Sequence, residues 1–288
     1  MIVEIIREFL VIALELTALF IAISLAVNLL QAFVPYEKIN QYLSGKNTSL
    51  GVLAALLFAF VTPFCSCSTI PIVVNLLDKK VRFGIVMVFL FSSPLLDPTI
   101  ITLMATILGV KVAIAYTIIT AIFSALIGLL LEKLGFESAV KNVRMTGYNE
   151  DQYNFSFKNA LKETGGLMKT VYPYLLIGAA IGAVIHEAVP TEWIATYFGG
   201  DKWWLVPIAA VIGIPLYVRI ETMIPLSKIL IAKGMAFPPV MALMIGSVGA
   251  SIPEVTLLNS IFQKRLVIAF VVSVILMATL SGFLFYII

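Results

Sequence analysis

The sequence predicts an all-α integral membrane protein of about eight transmembrane segments in two homologous repeats, with several helices broken at prolines. Three observations carry this. The 288 residues are 61% hydrophobic and only 12% charged, with a mean hydropathy of +1.06, whereas a soluble domain is about a quarter charged. The apolar residues gather into runs long enough for helices of about 20 residues, with the charges between them. The runs lack the alternating ten-residue strands of a membrane barrel, and helices satisfy their own backbone groups in lipid.

The elements follow in chain order. The run 5–33 exceeds a signal-peptide core and is followed by no small-residue cleavage site, so it reads as a retained helix. Runs at 49–77, 83–107 and 110–132 complete a first half, residues 1–133. The polar stretch 134–164 reads as a cytoplasmic linker. Runs at 166–188, 203–232, 236–260 and 265–287 make the second half, residues 165–288.

The halves resemble each other. FVPYEKINQYLSG at 33–45 matches AVPTEWIATYFGG at 188–200, an offset of 155, and Pro71 matches Pro225 at an offset of 154. Such duplication is characteristic of secondary transporters, whose sites lie between repeats and use broken helices. With eight simple spans, the inside carries twelve Lys and Arg, Lys228 and Lys233 among them. The outside then carries six, including Lys264 and Arg265, and this asymmetry orients the chain. The runs 49–77 and 203–232 both break at prolines, however, and each also fits a re-entrant hairpin of two half-helices. Simple spans make the repeats parallel; hairpins make them inverted.

Intramembrane polar groups collect at these breaks. In the first half they are Cys65, Ser66, Cys67 and Ser68 in VTPFCSCSTIP, and Asp97 in SSPLLDP. In the second they are Arg219 and Glu221 in IPLYVRIETMIP, and Glu254 in SVGASIPE. Sliding by 154 sets Cys65 on Arg219 and Cys67 on Glu221. Charge at membrane depth costs about 2.5–3.5 kcal/mol per residue on insertion scales, and such residues usually face a cavity or a partner. Two thiolates at C-x-C spacing can chelate a soft centre, and a nearby cation such as Arg219 lowers a thiol's pKa. The bland reading is that both cysteines are small buried hydrophobes. Asp97 and Glu254 read either as proton carriers or as helix caps.

Other classes find no support. Adjacent cysteines cannot staple distant elements, so no disulfide framework is implied. The net charge of +3 is scattered and gives no nucleic-acid signal. No Walker lysine, Gly-rich nucleotide fingerprint or H-E-x-x-H motif occurs, so no enzyme activity, cofactor or resident metal is expected. His186 ends a segment at the interface, Glu15 lies mid-span, and Trp203 and Trp204 suit an interfacial belt.

TPFCSCSTIP, followed by SSPLLDP and the repeated VP…YxxG, resembles the predicted permease family that contains the methylarsenite efflux permeases. The resemblance spans nearly the whole chain, and PFCSCSxxP is its most specific element. It implies a multi-pass permease of a prokaryotic cytoplasmic membrane. In one branch the substrate is a trivalent organoarsenical, which implies Cys65 and Cys67 as its ligands. The expectation is therefore proton-coupled efflux of a small thiophilic solute. Cys65, Cys67, Ser66, Ser68 and Arg219 would bind it, and Asp97, Glu221 and Glu254 would exchange protons. Uptake of a sulfur or metal-thiolate compound uses the same site in reverse. A membrane thiol oxidoreductase is the alternative from another class, against which stands the lack of a histidine pair for haem or quinone. Expected partners are the solute (a small molecule or a soft metal or metalloid) and membrane lipid, with a homodimer left open.

Overall fold

Proline and glycine punctuation cuts the apolar runs into shorter helices than their hydropathy implies. The computed structural model describes residues 48–61, 66–78, 80–141, 202–216 and 234–287, with isolated positions in 7–18, at 176 and in 224–232. Nine α-helices lie among the described residues. They are α1 (Thr48–Val61), α2 (Ser66–Asp78), α3 (Phe83–Ser92), α4 (Pro98–Ile107), α5 (Val110–Lys133), α6 (Leu205–Leu216), α7 (Phe237–Gly249), α8 (Ile252–Ile261) and α9 (Lys264–Leu284). A 3-10 turn, Phe136–Ala139, follows α5, and Val140 bridges antiparallel to Phe262.

The expectation of about eight transmembrane segments is overturned. Among the described residues only α5 and α9 are long and apolar enough to cross a membrane, with 24 and 21 residues. A third crossing is gained if α7 and α8, bent by 42° at their break, count as one span. The expected runs 5–33 and 166–188 and most of the linker 134–164 lie outside the described residues but for isolated positions; in the runs that are described, the breaks shorten the helices. Run 83–107 splits at 93–97, between Pro94 and Pro98, and run 236–260 splits at Ala250 and Ser251, ahead of Pro253. Proline lacks the N–H that continues a helix and pushes the preceding residue out of the α region. Run 49–77 becomes α1 and α2, each only about 20 Å long at 1.5 Å per residue, against a hydrocarbon core of about 30 Å.

Buried side chains sort into two cores, one towards each end of the bundle. The first takes Ala55 and Ala59 of α1, much of α2 and α3, Leu131 of α5, Leu257 and Ile261 of α8, and Leu266 to Val274 of α9. The second takes Ile100 and Met104 of α4, Ala113 and Tyr116 of α5, most of α6 and α7, and Met277 and Ala278 of α9. Hence α5 runs from the second core into the first, and α9 runs the opposite way. Their outer faces are continuous apolar stripes, Ile114, Ile118, Ile122, Leu126 and Leu130 on α5 and Ile268, Val272, Leu276 and Leu280 on α9. The inner face of α5 carries small and polar residues, such as Thr120, Ser124 and Gly128, and that of α9 ends in Ala278, Ser281 and Gly282. That reverses the pattern of a soluble amphipathic helix and suits lipid outside with close packing within.

Related positions recur 154 residues apart. Helices α3, α4 and α5 start at 83, 98 and 110, and α7, α8 and α9 start at 237, 252 and 264. The turn before α3 recurs before α7. Lys80 and Val81 donate backbone N–H groups to Leu77 and Leu76, as Gly234 and Met235 do to Ile231 and Leu230. A Cβ on Gly128 would stand 2.9 Å from the Gly84 carbonyl oxygen, and one on Gly282 would stand 3.1 Å from that of Pro238. Because α5 and α9 are related and antiparallel, the two halves cross the bundle in opposite directions.

Directions also follow for the short helices. Arg82 Nη1 donates to Thr48 Oγ1 at 2.6 Å, and the buried side chains of α1 and α2 lie in the first core. The start of α1 and the end of α2 therefore lie towards the same face. In the second half, Gly282 lies against both Val206 near the start of α6 and Pro238 at the start of α7, so those two starts also share a face. The α8–α9 corner meets the end of α5, where Gln263 N–H donates to Ala139 O at 2.8 Å. This corrects the expected charge placement: Lys264 and Arg265 share a face with Lys80, Arg82, Lys133 and Lys141. Lys111 and Lys202 lie at the other. Of the described cations that these contacts place, six against two make the first face the inner one.

Lys80 sits at φ 57, where the related Gly234 has φ 94. A left-handed conformation costs an L-residue roughly 1–2 kcal/mol, and glycine is spared it. Lys80→Gly is therefore expected to stabilise the fold by roughly 1 kcal/mol and Gly234→Lys to destabilise it by a similar amount. Unfolding curves in detergent that coincide for native protein and both variants would contradict this.

Candidate functional site

Three helices begin at mid-depth, where the two cores meet. Helix α2 starts at Ser66 and runs to the inner face; α8 starts at Ile252 and runs the same way, packed against α2. Helix α4 starts at Pro98 and runs towards the outer face along α5. Helix starts expose N–H groups without intrahelical partners and carry partial positive charge. The breaks approach each other at related positions, since a Cβ on Gly249 would lie 3.9 Å from Leu95 Cδ2, and 95 and 249 differ by 154.

Each expected residue has a definite standing in this arrangement. Ser66, Cys67 and Ser68 occupy the first turn of α2, and the structure gives their backbone only. Cys65, Arg219 and Glu221 lie outside the described residues. Asp97 is half-buried just before α4, and its carbonyl accepts the Ile101 N–H at 3.1 Å, the position of an N-cap. Tyr116 is buried on α5. Glu254 is fully buried in the first turn of α8. It forms a reciprocal capping box: Glu254 N–H donates to Ser251 Oγ at 3.3 Å, and Ser251 N–H donates to Glu254 Oε2 at 3.4 Å.

The arrangement thus packs α2, with Cys67 in its first turn, against α8, with Glu254 in its first turn, and Asp97 lies at the break whose Leu95 approaches Gly249. Two residues escaped the sequence reading. Ser251 was signalled by S-x-x-E in SIPE, the capping-box pattern. Tyr116 gave no signal, being one aromatic in an apolar run. Among the described residues no three His, Cys, Asp or Glu converge as metal ligands. A cleft of about 670 Å³ opens at the inner face, lined by Leu77, Glu137, Ser138, Val140, Lys141 and Gln263. It sits at the opposite end of α2 from Cys67.

The family model described as "Predicted permease" matches residues 2–287, almost the entire chain. The chain belongs to this permease family. Similar curated proteins agree. UPF0718 protein MJ0584 of Methanocaldococcus jannaschii is 35% identical over 127 residues, which are 44% of this chain and 35% of that protein. A Streptococcus mutans protein named "Putative two-component membrane permease complex subunit" is 24% identical, covering 88% of this chain and 82% of that one. UPF0718 protein YraQ of Escherichia coli is 22% identical over 83% of this chain and 68% of its own. The match thus spans about a third of the archaeal relative and most of the two bacterial ones. No solved structure matches the chain. This permease is a multi-pass protein of a prokaryotic inner membrane, as its family and its lipid-facing helices indicate.

Proposed function

We propose that this permease expels a small thiophilic solute, a trivalent organoarsenical or similar soft species, in exchange for protons. The observation that supports the reading is the packing of α2, whose first turn contains Cys67, against α8, whose first turn contains the buried Glu254. Cys65 and Cys67 act as transient soft ligands, with Ser66 and Ser68 completing the polar turn. Arg219, at the related position in the second half, holds the thiols towards thiolate. Asp97, Glu221 and Glu254 exchange protons, whose arrival on a thiolate releases the solute. Capture stays weak, because passage requires release as much as binding. Capping and proton carriage coexist at Glu254, since half-helix ends line the sites of secondary transporters.

The test is uptake of trivalent methylarsenite into inside-out vesicles. Native protein is expected to concentrate it, and Cys65→Ser or Cys67→Ser to lose most of that flux while remaining folded. Absence of flux in the native, folded protein withdraws the arsenical; undiminished flux in both serine variants removes the cysteines from the path.

A further inference from the structure

The inner face carries a side-chain cluster that the transport site does not use. Arg82 Nε donates to Glu132 Oε1 at 2.6 Å, while Arg82 Nη1 donates to Thr48 Oγ1 at 2.6 Å. One guanidinium thereby joins the start of α1, the start of α3 and the end of α5. Gly84 leaves room for this, because a Cβ there would collide with Glu132 Oε2. The outer face has no counterpart, since the positions related to Thr48, Arg82 and Glu132 are Lys202, Ala236 and Tyr286.

A second asymmetry points the same way. Helix α6 is joined to α7 backbone to backbone: a Cβ on Gly246 would collide with the Ala210 carbonyl oxygen, and one on Gly213 would stand 2.5 Å from that of Leu243. The related positions between α1 and α3 are Ala59 and Ser92, and Phe58 meets Phe89 there with ring centroids 5.2 Å apart. Side-chain contacts of this kind can slide where glycine contacts cannot. The open cleft at the foot of α2 leaves space for movement.

We propose that Arg82, Glu132 and Thr48 form a latch that ties the start of α1 to α3 and α5 on the inner face, and that its release raises access from the cytoplasm to the chain's two thiols. The inference rests on the permease reading but needs no particular solute. Arg82 is 47% exposed and Glu132 18%, so the latch is weak, as suits an element that opens in every cycle. The chain's only two thiols are Cys65 and Cys67, so the native protein is its own probe.

The experiment is the rate of labelling by a membrane-impermeant maleimide in inside-out vesicles, with folding checked by thermal melts. Arg82→Ala is expected to label roughly two- to fivefold faster than native, the scale of a partly exposed ion pair. The exchange R82E/E132R is expected to return most of the way to the native rate. Gly84→Ala, which displaces Glu132 without removing a charge, provides the same readout if Arg82→Ala misfolds. Equal rates in native and latch variants, including no labelling of either, overturn the latch. So does an exchange variant that labels as fast as Arg82→Ala, which would signify general loosening. Faster labelling in a protein with no arsenical flux would sink the proposed solute and leave the latch standing.

Discussion

Gly246→Ala is expected to be among the most destabilising single-methyl additions in the described part of the molecule. The added Cβ meets the Ala210 carbonyl oxygen, which belongs to a helix backbone and cannot rotate away. Helices α6 and α7 must separate along their whole contact, and overpacking of this kind costs roughly 1–3 kcal/mol. Gly213→Ala strikes the same crossing from the other helix, 2.5 Å from Leu243 O. Because one separation relieves both collisions, the double variant should fall short of the sum of the single effects. Gly84→Ala is the control, since its Cβ meets only the Glu132 side chain, which can swing aside. Thermal midpoints in detergent check the series. A Gly246→Ala midpoint no lower than that of Gly84→Ala would show that α6 and α7 are not held as close as described.

Glu254 offers the second large effect, on flux. It both caps α8 and, in our proposal, carries protons, and two substitutions separate those roles. Glutamine keeps an oxygen that can accept the Ser251 N–H, and a capping box tolerates it. Glu254→Gln is therefore expected to fold normally and to lose most proton-driven flux, with what remains no longer varying with the pH gradient. Alanine removes the cap as well and should cost a further ~1 kcal/mol of stability. If Glu254→Gln transports like the native protein across the pH range, the capping box is the whole function of this carboxyl.

Membrane embedding, helical class and the places of the breaks were legible in the sequence, for reasons of composition and of proline chemistry. Helices α4 and α8 begin at Pro98 and Ile252, where SSPLLDP and SIPE interrupt apolar runs. Direction was not legible. Hydropathy measures how long a run is, and a run that folds back has the same composition as one that crosses. Among the described residues that ambiguity turned broken runs into full spans, and it put Lys264 and Arg265 on the wrong face. It is settled by contacts remote in sequence, such as Arg82 with Thr48 and Gln263 with Ala139. At the candidate site, the capping of α8 was written locally, three residues apart. The approach of Leu95 to Gly249 depends on how the halves face each other, which no local pattern encodes.

The opposed halves have an energetic consequence. In our proposal, when each half adopts the conformation now held by the other, the bundle reaches a state related to this one by a two-fold axis and facing the opposite side of the membrane. Were the halves identical in sequence, the two states would be equal in free energy and equally populated. The bias between them must therefore come from unlike related pairs, of which Arg82 with Ala236, Glu132 with Tyr286, and Ser92 with Gly246 are three. Making such a pair alike should move the population towards parity, so the resting orientation becomes an adjustable quantity, set by the positions at which the halves differ.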